Sequence, residues 1–239
     1  MVPKTKGPHP AILTVQGYST FQQYTWTLPD DRFANLVLNI RGHGNSKDDI
    51  NPGFPGFLLS GIEDKNKYIY RGTYMDCVRA IDFLFTRPEI DTTRVIVEGS
   101  SQGGALSFVT AALCNNRIRL CLPDVPFLSD FKDYFKVADW PANEFTEYES
   151  KHPEFGWDSI YNTLSYFDIR NLAPWIKAPV HMSACLLDVT CPLHINFAAY
   201  NKLSVPREYT IFPNSGHQLP RENATIKIKW IRKQLGMPD

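Results

Sequence analysis

Three side chains that together can split an ester or an amide stand far apart in this chain: Ser101, Asp188 and His217. A serine hydroxyl is a weak nucleophile at neutral pH. It needs a base within hydrogen-bond reach, and that base needs a carboxylate to orient it and stabilise its cation. The setting of Ser101 is the strongest signal. Val95-Ile96-Val97-Glu98 leads through Gly99-Ser100-Ser101-Gln102-Gly103-Gly104 into the helix former Ala105-Leu106-Ser107-Phe108. A β-branched apolar run, a Gly-x-Ser-x-Gly turn and a helix pattern in succession predict a sharp strand-to-helix turn with Ser101 at its tip. The helix start aims the N–H groups of Gln102 and Gly103 at whatever the hydroxyl attacks. Ser100 shares the turn, but the flanking glycines centre the motif on Ser101, so Ser100 reads as a packing residue.

Asp188 lies in Leu187-Asp188-Val189-Thr190-Cys191-Pro192, a loop after one apolar run, and His217 in Pro213-Asn214-Ser215-Gly216-His217-Gln218, a loop after another. Serine, then acid, then histidine is the chain order in which such loops meet at one sheet edge. The oxyanion formed in the reaction needs a second donor besides Gln102 N–H. The loop Gln16-Gly17-Tyr18-Ser19 supplies one in Tyr18 N–H, with Gly17 making the sharp turn; a plain β-turn is the alternative. Asp124, also after a strand pattern, is the rival acid, and its position suits lining the pocket. His181 within a strand reads as a core histidine, while His9 precedes the first strand and His152 stands beside Pro153 in the insertion. Asp188, Cys191 and His194 have a spacing that a metal site could use, but no second ligand pair accompanies them, and neither metal nor cofactor is expected.

These side chains need a scaffold. Short apolar runs bounded by turn residues recur at Ala11–Val15, Leu36–Ile40, Val95–Val97, Ile118–Leu122, Val180–Cys185 and Glu208–Phe212, the mark of buried parallel strands. Helical patterns lie between them at Tyr70–Phe85, Gln102–Leu113 and Leu193–Leu203, and Ala224–Leu235 closes the chain. The alternation predicts a mostly parallel, doubly wound sheet, and the Gly-x-Ser-x-Gly elbow makes that an α/β-hydrolase fold. From about Asp124 to Trp175 the rhythm breaks into a segment rich in Phe, Tyr, Trp, Asp and Glu, read as a short helical lid insertion over the carboxyl edge. Its Phe127, Trp140 and Trp157 either narrow the acyl pocket and offer stacking surfaces, or pack the lid's own core.

At 239 residues and 43 % hydrophobic, the chain is expected to form one domain, residues 1–239. Lys+Arg and Asp+Glu are both 25, which gives no electrostatic footprint for nucleic acid or an anionic membrane. No apolar run approaches the roughly 20 residues of a membrane span. The start, Met1-Val2-Pro3-Lys4-Thr5-Lys6, lacks the apolar core of an export signal. A cytoplasmic location is expected unless an export segment has been removed. The 5 cysteines form no C-x-x-C pair, and Cys77, Cys114, Cys121 and Cys185 read as small core residues.

Several motifs in order resemble the acetyl xylan esterase/cephalosporin C deacetylase group, carbohydrate esterase family seven. They are Gln16-Gly17-Tyr18, Arg41-Gly42-His43-Gly44-Asn45-Ser46, Gly61-Ile62, Tyr70 to Ala80, Gly99 to Gly104, Asp124-Val125-Pro126-Phe127-Leu128, Asp188 to Pro192 and Ala198-Ala199-Tyr200-Asn201. The resemblance implies a serine esterase removing acetyl or other short acyl groups from acetylated sugars such as xylo-oligosaccharides, with Ser101, Asp188 and His217 as its triad. It also implies ring-like homo-oligomers. The chain departs from the pattern in His43, where the family has Gln, and in Gln218, where it has Glu after the histidine. The family's N-terminal strand-and-helix segment is expected to be missing. Arg41 is expected to hold loops together. A prolyl-oligopeptidase-type serine peptidase, and a catalytically silent binding module on the same scaffold, are the rival readings.

Overall fold

The computed structural model describes residues 1–18, 27–47, 50 and 52–238. Ser19, the last residue of the first loop considered above, lies outside them. The elements run β1 (His9–Val15), β2 (Ala34–Leu38), α1 (Ile69–Phe85), β3 (Ile90–Ser100), α2 (Gln102–Leu113), β4 (Leu120–Asp124), α3 (Phe131–Val137), α4 (Asp139–Lys151), α5 (Gly156–Ser165), α6 (Ile169–Leu172), β5 (Val180–Cys185), α7 (Leu193–Tyr200), β6 (Arg207–Phe212) and α8 (Glu222–Leu235).

Six strands form a parallel sheet in the order β2-β1-β3-β4-β5-β6. Alternation along the strands explains why helices cover both faces. Ala11, Leu13 and Val15, with Val95, Val97 and Cys121, face the layer built by α1, α2 and the helices between β4 and β5. Ile12, Ile96, Leu120 and Leu122 face the other way, against Ile228, Trp230 and Ile231 of α8. The sheet is therefore parallel and doubly wound as the alternation predicts, in the α/β-hydrolase arrangement expected from the elbow, with α3–α6 inserted between β4 and β5.

β5 coincides with its predicted run, while other strands are longer or shifted relative to theirs. β3 begins at Ile90, because Asp91, Thr92, Thr93 and Arg94 conceal its first half from a hydrophobic pattern. β2 starts at Ala34, two residues ahead of its apolar run, and β4 ends at Asp124, two residues beyond its own. α2 is buried on all sides, and its small residues let it lie close to the sheet. α8 ends where Gly236 adopts φ 63°, and Met237 N–H bonds back to Arg232 O at 2.9 Å. Such a left-handed stop suits glycine. Among the described residues, no helix is long and apolar enough to cross a membrane.

Candidate active site

Ser101 joins β3 to α2 with φ 59° and ψ -119°. L-residues rarely occupy that region unless the surroundings hold them there. The surroundings are glycines pressed against backbone. A Cβ on Gly103 would lie 2.0 Å from Val15 O, one on Gly99 2.5 Å from the same oxygen, and one on Gly104 2.4 Å from Asp124 O. Side chains at these positions would push α2 away from the ends of β1 and β4. Ser101 N–H donates to Asp124 O at 2.9 Å, while Ser101 O accepts from Ala105 and Phe127 N–H at 3.0 and 3.1 Å. The strained residue is thus fastened on both sides.

Asp188 and His217 meet. His217 Nδ1 lies 2.8 Å from Asp188 Oδ2, and Asp188 Oδ1 accepts the N–H groups of Thr190 and Cys191, each at 2.8 Å. With both oxygens of the buried carboxyl engaged, Nδ1 carries the ring proton and Nε2 keeps its lone pair. The two loops are laced by backbone bonds, Leu187 N–H to Ser215 O at 3.0 Å and Leu186 N–H to Phe212 O at 3.1 Å. Ser101 and His217 line one cavity of about 1020 Å³, together with Gly17, Tyr18, Thr190 and Trp140. The two side chains are not hydrogen-bonded to one another here: Ser101 Oγ instead lies 4.0 Å from Cys191 Sγ. Burial, reinforced by nearby Asp188, holds the Cys191 thiol well above the ordinary range, since both effects penalise the thiolate. Cys191 is therefore a neutral neighbour rather than a competing nucleophile.

The N–H groups of Gln102 and Gly103 open α2, where no intrahelical acceptor exists for them. Tyr18 enters the same cavity from the loop after β1, which passes the elbow so closely that a Cβ on Gly17 would sit 3.7 Å from Ser100 O. The Gln102 side chain has a separate task that sequence reasoning missed. Its Oε1 accepts from Tyr70 Oη at 2.7 Å, and its Nε2 lies 3.2 Å from His43 Nε2. His43 Nδ1 is 3.1 Å from Arg41 O, so Nδ1 carries the proton and Nε2 accepts from Gln102. Burial lowers the His43 pKa to about 4, and the ring stays neutral. A neutral imidazole with one donor and one acceptor does what a carboxamide would do there. Arg41 makes a two-point pair with Asp76 of α1, at 2.7 and 2.8 Å. That fork ties the loop after β2 to the helix with two charge-assisted bonds.

The aromatic residues of the insertion divide. Trp140 lines the cavity. Its Nε1–H donates to Glu144 Oε1 at 2.9 Å, its ring stacks on Phe127 at 5.4 Å, and it leans on Tyr18 at 5.2 Å. Phe127 is buried behind Trp140, and Trp157 packs against Phe135 and Tyr161. The polar neighbours also sort themselves. Ser100 lies beside Ser101 on the cavity wall rather than purely in the packing. Asp124 neither meets His217 nor lines the cavity, because Lys227 and Asn223 hold its carboxyl inside the sheet. Asp188, Cys191 and His194 do not converge: His194 faces Asp133, and among the described residues no group of three or more metal-ligating side chains gathers. His181 is buried, with Nε2 3.0 Å from Thr210 Oγ1 and Nδ1 without a partner.

A sequence profile for acetyl xylan esterase (AXE1) matches residues 1–234. The acetyl esterase Axe7A of Xylanibacter ruminicola is 31 % identical over 245 residues; the match takes in 98 % of this chain and 55 % of that protein, so the chain spans about half the length of this relative. Among solved structures, the acetyl xylan esterase from Paenibacillus sp. R4 superposes with a TM-score of 0.86 at 33 % identity, over 97 % of this chain and 77 % of its own. Acetyl xylan esterase 1 from Thermoanaerobacterium sp. JW/SL YS485 gives the same TM-score, 0.86, at 30 % identity, over 98 % and 77 %.

Proposed function

The chain belongs to the acetyl xylan esterase family, and from that premise we propose that it is a serine esterase that removes acetyl groups from sugar hydroxyls, with Ser101 as nucleophile, His217 as base and Asp188 as its orienting acid. Ser101 Oγ attacks the ester carbonyl while its proton passes to His217 Nε2. The carbonyl oxygen becomes an oxyanion facing the N–H groups of Gln102 and Tyr18. The intermediate collapses by breaking the bond to the sugar oxygen, which takes the proton from His217. Water then enters, gives a proton to the same nitrogen and attacks the acetyl-enzyme, and the serine is restored with release of acetate. Asp188 keeps the proton on Nδ1 throughout and stabilises the imidazolium.

One observation carries this reading: His217, paired with the buried Asp188 at 2.8 Å, stands on the wall of the cavity into which the Ser101 elbow opens. The family supplies the acetylated carbohydrate as substrate class, and the clustering of Trp140, Tyr18 and Phe54 along the same cavity suits a short acyl group. The experiment is acetate release from acetylated xylo-oligosaccharides, beside p-nitrophenyl acetate, by the protein and by Ser101→Ala. Release of acetate from both substrates, lost by a factor on the order of 10³ or more in the variant at a melting temperature within a few degrees, supports the proposal. Turnover that survives in Ser101→Ala overturns the nucleophile. Activity on the aryl ester alone overturns the sugar as substrate.

A further inference from the structure

Beneath the elbow lies a charged cluster that the reaction scheme does not use. Lys227 of α8 is fully buried, with Nζ 2.5 Å from Glu98 Oε2 and 2.8 Å from Asp124 Oδ2. Thr14 Oγ1–H donates to Glu98 Oε1 at 2.5 Å. Asn223 Nδ2–H donates to Asp124 Oδ2 at 3.1 Å, and Ser183 Oγ–H donates to Asn223 Oδ1 at 2.7 Å. Burial alone would favour a discharged amine, but the two carboxylates outweigh it and raise the Lys227 pKa. Asp124 Oδ1 is left without a partner.

The placement of the six residues is informative. Thr14 sits on β1, which runs into the Gly17-Tyr18 loop. Glu98 is on β3, three residues before Ser101, and the main-chain oxygen of Asp124 holds Ser101 N–H. Ser183 is on β5, which runs into the Asp188 loop. Asn223 and Lys227 are on α8, which begins directly after the His217 loop. Each element that delivers a reacting group is thus joined to this one cluster. Apolar side chains of similar volume would serve stability as well as buried charges do, and often better. Polar networks whose members bond to one another, by contrast, hold those members in one relative position.

We propose that Lys227, Glu98 and Asp124, with Asn223 as their link to β5, form a buried positioning hub that sets the His217, Asp188 and Tyr18 loops in register with Ser101. These are positioning residues, since none touches the cavity. The inference rests on the triad assigned above. Loss of turnover in Ser101→Ala tests that assignment, and the variants below leave all three of its members intact.

The test uses p-nitrophenyl acetate turnover per active site, titrated with a fluorophosphonate so that unfolded molecules do not count. Asn223→Ala breaks the link while leaving the ions paired; kcat is expected to fall about tenfold, with KM within twofold, since no side chain that lines the cavity is replaced. The charge-free triple variant Glu98→Gln/Asp124→Asn/Lys227→Met is expected to melt at or above the parent temperature, with kcat per site at least thirtyfold down. A purely structural cluster predicts the opposite, kcat returning together with the melting temperature. Parent-level kcat in Asn223→Ala, or in the folded triple variant, overturns the proposal. Should the triple variant fail to fold, Asn223→Ala alone decides.

Discussion

Gly103→Ala is the perturbation whose effect can be worked most directly from the geometry. The added methyl would stand 2.0 Å from Val15 O, 2.8 Å from Val15 C and 3.1 Å from Gln16 C, all backbone atoms that no rotamer change can move. Relief to the 3.0 Å that real contacts tolerate requires a displacement of about 1 Å between the start of α2 and the end of β1. Those two elements carry the two proposed oxyanion donors, Gln102 N–H on one and Tyr18 N–H on the other. A donor drawn about 1 Å away leaves the roughly 2.7–3.1 Å range over which it stabilises charge, at a cost on the order of 10²–10³ in kcat. Overpacking of this kind also destabilises by about 1–3 kcal/mol, which for a chain of this size corresponds to roughly 2–12 °C in melting temperature. Hydrolysis of p-nitrophenyl acetate, normalised to titrated sites, is therefore expected to fall about 100-fold or more while the protein remains folded. Gly156→Ala is the control. Its φ is 52°, but nothing lies within 4 Å of the new methyl. Left-handed backbone strain then costs about 1 kcal/mol of stability, and activity is unchanged. Activity within threefold of the parent in Gly103→Ala would refute the reasoning.

Trp140→Ala removes the ring that Glu144 and Phe127 hold against the cavity. The ratio of kcat/KM for p-nitrophenyl butyrate over acetate is expected to rise at least tenfold; an unchanged ratio means that Trp140 does not limit acyl length. His43 gives a pH test of stability. Its pKa is about 4 in the folded chain, against about 6.5 when unfolded. The unfolded chain therefore binds the proton first. Stability is fully present above about pH 6.5 and is lost as pH falls toward about 4, by about 3 kcal/mol in total. His43→Gln keeps a donor and an acceptor without the titration, so its melting temperature should decline less over that window. Parallel melting curves for the two proteins would contradict the assignment.

How much of this is legible in the sequence depends on what each residue does. β5 and α2 are readable to the residue, because a strand buried on both faces and a helix buried nearly all round leave apolar runs broken only by a few polar residues. The loops bearing Asp188 and His217 follow from chain order, and the structure brings those two side chains together. That Ser101 Oγ lies beside Cys191 Sγ rather than in a hydrogen bond to His217 is not legible, since the placement of one short side chain leaves no pattern in a sequence. The lid helices give little signal: α4 turns Trp140, Asn143, Glu144, Glu147, Tyr148 and Lys151 toward the cavity, a helical spacing written largely in polar residues. Asp124 passes for a pocket residue in sequence because its partner Lys227 lies 103 positions away. Two cues to that cluster are present: Glu98 follows directly on the β-branched run of β3, and Lys227 shares a helix face with Ala224 and Ile231, as their three- and four-residue spacing requires. A charge in an apolar run is visible in sequence, but the partner that neutralises it is set by topology.

The central claim is that the hydroxyl of Ser101 is the group acylated. Incubation with a fluorophosphonate, digestion and fragment mass spectrometry locate the adduct directly and separate Ser101 from its neighbour Ser100. The account predicts one adduct per chain, on Ser101, its formation slowed by a factor on the order of 10² or more in His217→Ala. An adduct on Ser100, none on the folded protein, or one that forms equally fast without the imidazole would contradict it.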